Sequence, residues 1–215
     1  MDSNQKQLSE KAQATRDRII IAATELFYLH GYNATGLDKV IKAAEVTKGN
    51  FYYHFKSKED LAIATLDWEF DLVSKEMQDK VFSAKVKNAN NDDDKRTPLN
   101  MLFSLLELLA NKQKEQYSKG HVRGCYFGNF TLELSTASQK VRDKVSRIFK
   151  QYLEWIESLL KQAQDAGEIS TKINPAEISP VILGQVEGAI LLDKANQKPQ
   201  TFDTSIMFIK HFLRV

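Results

Sequence analysis

Residues 46–61 read VTKGNFYYHFKSKEDL. Two adjacent tyrosines, Tyr52 and Tyr53, sit among phenylalanines and lysines in this short segment. Placed on a helix at about 100° per residue, Phe51 and Phe55 point the same way and face a core. Gly49, Asn50, Tyr52 and Tyr53 fall on the opposite side, with Lys48 at the first turn. That exposed face suits a nucleic-acid groove. Gly49 lets a backbone approach base edges, and Lys48 can donate to guanine O6 and N7. The tyrosine hydroxyls, Asn50 and backbone N–H groups can bond phosphate oxygens, and Thr47 sits at a helix N-terminus where the dipole favours an anion. Thr35 is placed to do the same on a neighbouring phosphate, and Lys58 adds a positive charge whose loss would weaken binding to any DNA and flatten its salt dependence. Each residue alone also has a plain reading. Exposed tyrosines pack, Lys48 is solvated, and Thr35, Thr47 and Ser57 cap helices at ~1 kcal/mol each. His54 alone reads as a structural hydrogen-bonder. The conjunction at this spacing favours binding.

Helices must position that face. Residues 1–13 are polar and read as an arm. Apolar residues then recur at Ile19, Ile20, Ala23, Leu26 and Phe27, up to a stop at Gly31. Thr35 with Asp38 reads as a capping box for a helix over 37–44, Thr47 caps the next, and Ser57 caps a fourth. A short helix, a tight turn through Glu45 and Val46, and a second short helix make a helix-turn-helix, whose second helix enters the major groove. The fourth helix carries two apolar stripes where one neighbour requires one. Residues 83–97 form a polar linker. Helical stretches follow near 98–118, 122–135, 138–166, 175–194 and 201–214. No strand alternation or repeat is visible, and the expected fold is all-α. It divides into an arm (1–13), a DNA-binding domain (14–60) and a C-terminal body (61–215).

The C-terminal body is less specific. Gly120, Gly124 and Gly128 have small-xxx-small spacing, read as close helix packing. Phe103, Cys125, Phe127, Asn129, Tyr152 and Trp155 are candidate linings for a ligand pocket. A lone thiol such as Cys125 is an electrophile or redox sensor if accessible and of low pKa, and otherwise inert filler. Val181, Gly184, Gln185 and Gly188 on one helix, and Phe202, Ile206 and Ile209 on the last, are candidates for an interface as well as for an intramolecular core.

Composition narrows the classes. Of 215 residues 42% are hydrophobic, with only 9 Gly and 4 Pro, and the net charge is +2. Any nucleic-acid site is therefore a local patch, and a non-specific nucleoid binder, which leans on many phosphate contacts, is disfavoured. One cysteine and four scattered histidines offer no metal set. The N-terminus MDSNQKQLSEKAQ lacks an apolar h-region, and no apolar run approaches the ~20 residues of a membrane span. The expectation is a cytoplasmic protein with no membrane partner and no cofactor. No triad, phosphate loop or dinucleotide fingerprint points to an enzyme; a helical enzyme retaining a vestigial helix-turn-helix is the remaining alternative.

Residues 16–62, with the core TKGNFYYHF-x-SKEDL, closely resemble the DNA-binding domain of TetR-family bacterial transcriptional regulators. RGC-x-x-GN at 123–129 resembles a C-terminal motif of some members. The resemblance implies an all-helical homodimer on a palindromic double-stranded DNA operator, released by a small-molecule effector bound in the C-terminal domain. It implies base reading by Lys48 and Gly49, and phosphate contacts by Thr35, Thr47, Asn50, Tyr52, Tyr53, His54 and Lys58. It also implies that the last two helices form a four-helix bundle with a second subunit. Two departures are Glu45, where many members have glycine, and Gly36 after Thr35. Lys48→Ala is expected to weaken operator binding by ~1–3 kcal/mol and to relax specificity at one position per half-site. Binding assays on operator variants check this, and equal losses on every DNA would remove its base-reading role.

Overall fold

The computed structural model describes residues 3–83 and 97–214, so most of the linker expected at 83–97 lies outside the described residues. The described residues form helices and no strand: α1 (Ser3–His30), α2 (Leu37–Ala43), α3 (Lys48–His54), α4 (Lys58–Met77, ending in a π-helical turn Gln78–Phe82), α5 (Pro98–Ser118), α6 (Tyr126–Leu134), α7 (Gln139–Asp165), α8 (Pro175–Asn196) and α9 (Thr201–Arg214). Apolar periodicity and cap residues therefore anticipated these helices, apart from the first turns of α1. The polar stretch read as an arm belongs to α1 from Ser3 onward, because Gln, Lys, Glu and Ala are good helix formers whatever their polarity.

Two compact units result, and they do not follow the division at 60/61. The first holds the described residues up to Leu72 together with Tyr126–Val145; the second holds Val73–Cys125 and the residues from Ser146 on. α4 and α7 each contribute to both. In the first unit Ile19, Ile20, Phe27, Val40, Phe51, Phe55, Leu61 and Leu66 are buried. The Phe27 and Phe130 rings meet edge-on, as do Tyr28 and Tyr126. In the second unit one cluster joins Leu102 and Leu106 of α5, Leu160 of α7, Ile182, Val186 and Ile190 of α8, and Phe202, Ile206, Ile209 and Leu213 of α9.

Two left-handed residues change the sequence reading. Gly120 (φ +118) and Gly124 (φ +84) lie in the loop before α6, so the glycine spacing is not a helical face. Side-chain amides hold that loop: Arg123 N donates to Gln116 Oε1 (2.8 Å) and Val122 N to Gln197 Oε1 (3.1 Å). By length and composition alone α8 could cross a membrane. However, it carries the partly buried Glu187 and the fully buried Asp193, whose carboxylate accepts from Gln200, Thr201 and Phe202 N at the start of α9. Those are features of a helix packed within protein.

The turn into α3 passes through Glu45 at φ +53, a region where a side chain costs roughly 1–2 kcal/mol and glycine costs little. Glycine returns about 0.5–1 kcal/mol of that as extra unfolded-state entropy. Glu45→Gly is therefore expected to stabilise the protein by up to ~1 kcal/mol, read as a higher denaturation midpoint.

Candidate nucleic-acid interface

α3 is built as a two-sided element. Phe51 and Phe55 are buried, with ring centroids 5.9 Å apart, and the Arg16 guanidinium lies 5.3 Å from the Phe55 ring. Arg16 was not singled out in the sequence, because its place against α3 comes from α1. Thr47 caps the helix by accepting from Asn50 N (3.2 Å), which leaves its own hydroxyl proton for an outside acceptor. Ser57 caps α4 in the same way through Asp60 N (3.0 Å).

Lys48, Gly49, Asn50, Tyr52 and Tyr53 are all exposed, Tyr52 at 47% and Tyr53 at 78%. Gly49 is informative. A Cβ there would meet only Thr47 Oγ1, at 3.9 Å, so nothing inside the protein requires a glycine that weakens the helix by about 0.5–1 kcal/mol. His54 is half-buried beside Tyr53, with its pKa lowered by burial and then by Arg16. The shift favours the neutral imidazole at neutral pH.

Two sequence-based assignments are corrected. Thr35 is fully buried; its hydroxyl donates to Gly31 O (2.7 Å), with Leu26 O at 3.2 Å, and α2 starts from Gly36 with no side-chain cap. It closes the end of α1 and presents no hydroxyl to a phosphate. Lys58 turns inward: Nζ donates to Tyr32 O (2.6 Å) and sits 4.0 Å from the Tyr32 ring centroid. Burial lowers its pKa, partly countered by Glu133. Lys56, two residues past the end of α3, is exposed.

The six candidate pocket residues do not gather in one unit. Phe127 and Asn129 belong to the first; Phe103, Cys125, Tyr152 and Trp155 belong to the second. Phe103 is buried, with Lys210 Nζ and Arg214 Cζ each 5.2 Å from its ring centroid. The Tyr152 and Trp155 rings, tilted with centroids 5.5 Å apart, pack on the cluster of Val73, Met77 and Leu105. Cys125 hydrogen-bonds the Glu187 carboxyl, whose pKa is raised by burial. A carboxyl partner opposes a thiolate, so this geometry does not favour thiol sensing.

The interface candidates also divide. Val181, Gly184, Gln185 and Gly188 are exposed, and a Cβ at either glycine would meet nothing within 4 Å. Phe202, Ile206 and Ile209 instead are buried in the core, the alternative the apolar spacing had left open, because α9 is apolar on two sides. The exposed side of α9 carries Met207, Phe208 and Phe212, and α8 adds Leu191 and Leu192. Ile178, Val181, Ile182, Gln185, Phe208, Ile209 and Phe212 line an apolar groove there.

This arrangement is that of a DNA-binding transcriptional regulator. Residues 19–65 match the model of bacterial regulatory proteins of the tetR family, and residues 104–209 match a tetracyclin repressor-like C-terminal domain. The chain is 30% identical to the HTH-type transcriptional regulator LmrA of Bacillus subtilis over 83% of its own length and 85% of the relative's. It is 27% identical to the HTH-type transcriptional repressor DhaR of a Mycobacterium species, covering 87% and 86%. A TetR-family regulator from Cytophaga hutchinsonii superposes with a TM-score of 0.80 at 24% identity, covering 94% of both chains. The protein belongs to the TetR family of bacterial transcriptional regulators.

Lys58→Ala is expected to lower stability by about 1–3 kcal/mol, from the lost charged hydrogen bond and cation–π contact. The slope of DNA affinity against salt should stay as in the unaltered protein. Denaturation and a binding series over salt measure the two separately, and a flattened slope would restore the phosphate role.

Proposed function

We propose that the protein is a cytoplasmic repressor that binds a palindromic operator as a homodimer and is released by a small-molecule effector, with no catalytic turnover. The observation that carries this reading is the exposed face of α3, where Gly49 answers no internal need and Tyr52 and Tyr53 stand in solvent. Lys48 and Gly49 read base edges. Thr47, Asn50, Tyr52, Tyr53 and neutral His54 contact phosphates, and Lys56 supplies the charge expected of Lys58.

A dimer follows from need and from surface. One seven-residue helix reads few bases, and two half-sites about one turn apart multiply specificity. Val181, Gly184, Gln185 and Gly188 of α8, with Met207, Phe208 and Phe212 of α9, provide an open apolar face for a second subunit. An effector acts by preferring one arrangement of the domains, which lowers operator affinity by the same coupling free energy.

Fluorescence anisotropy on DNA from upstream of the gene, against a scrambled duplex, tests the reading. Preference for the upstream duplex, lost in Lys48→Ala, supports it; equal affinity for both refutes binding at that site. Phe208→Asp is expected to shift the sedimenting species toward monomer and to weaken operator binding, whereas an unchanged dimer would move the interface elsewhere.

A further inference from the structure

Glu133, on α6, reaches across 100 residues of sequence to the loop between α1 and α2. Its Oε1 accepts from Tyr32 N (3.1 Å) and its Oε2 from Asn33 N (2.8 Å). The peptide group joining Tyr32 to Asn33 is held at both ends by opposite charges: its N–H donates to Glu133, and its carbonyl accepts from Lys58 Nζ at 2.6 Å. Charge-assisted bonds of this kind are about twice as strong as neutral ones. Gly31 makes the geometry possible. Its φ is +85, which turns the two following N–H groups toward one anion, and a Cβ on it would come within 2.8 Å of Glu133 Oε1.

The loop so held sets the helix-turn-helix. Thr35, two residues beyond Asn33, ties it to the end of α1, and α2 begins at Leu37. The loop also packs on α6 through the Tyr32 and Phe130 rings, 5.9 Å apart, while α7 reaches α4 rather than the loop through the ion pairs Lys140–Glu59 and Lys144–Asp67. Ser138 Oγ donates to Glu59 at 2.6 Å, on α4 rather than on the loop.

We propose that Glu133 is the positioning residue of the DNA-binding face: its carboxylate fixes the α1–α2 loop, and through it the aim of α3. This rests on the DNA-binding reading above, and it assigns control of that face to a residue on α6. Removing the carboxylate releases the Tyr32 and Asn33 N–H groups, leaving the loop held by Lys58 and the Tyr32 ring, and leaves Lys58 without the anion that offsets its burial. The fold persists on its buried aromatics, but α2 and α3 sample more orientations, and the binding-competent fraction falls.

Two measurements on Glu133→Ala and Glu133→Gln test this. Amide hydrogen exchange needs no DNA. Exchange through α2 and α3 is expected to rise at least tenfold in Glu133→Ala, less in Glu133→Gln, with α8 and α9 unchanged. Faster exchange confined to Tyr32 and Asn33 overturns the proposal. With operator DNA, Glu133→Ala is expected to bind more weakly and to lose discrimination against an operator with one base pair inserted between its half-sites, and Glu133→Gln to recover part of that discrimination. A merely destabilising change lowers both affinities together and keeps their ratio, so a retained ratio also overturns it. If the unaltered protein prefers no operator, the regulatory reading fails, and the exchange result still decides the role of Glu133.

Discussion

A helix of seven residues is too short to hold its shape in water, where isolated helices of fewer than about 12–15 residues are marginal. The helix proposed to face DNA is of this kind. It exists because Phe51 and Phe55 are sunk into the first unit and because Thr47 caps its first turn. The polar and aromatic groups on its other side are displayed as a consequence of that burial. Their geometry is therefore only as firm as the packing of α1, α2 and α4 around the two rings.

A different constraint governs α8 and α9. Both are apolar around much of their circumference, yet one cluster of core residues saturates only one side of each. Met207 and Phe208, at 65% and 59% exposure, are what remains. A protein with its own core complete rarely leaves so many large apolar groups together in water. The small residues among them, Gly184 and Gly188, leave space above the helix for another backbone.

Much of this was legible in the sequence. The helices, the α3 face, the Thr47 and Ser57 caps and the stop at Gly31 all follow from local chemistry, which acts within one turn. What was misread depends on distance or direction. Thr35 fits a helix start by spacing, but its hydroxyl turns back to α1. Lys58 sits beside a groove-facing helix, but its partner is a carbonyl 26 residues away. On α9 the 3.6-residue period marks apolar faces without saying which looks inward, so Phe202, Ile206 and Ile209 stayed open between interface and core until their burial was known. Glu133 carried no local signal, because its partners are a hundred residues distant. The left-handed turn at Glu45 was visible only as a departure from a family pattern, and the backbone angle supplies its meaning.

The buried Asp193 has a consequence for the proposed dimer. Its carboxylate gathers three successive amides at the head of α9, so the corner between α8 and α9 is locked from within each chain. The exposed ridge the two helices form is thus finished before any encounter. A second copy docking there meets a stiff, ready-made shape and surrenders mainly side-chain freedom, not backbone disorder. Assembly then resembles the joining of two rigid halves, with recognition resting on how well the surfaces fit rather than on folding at the moment of contact.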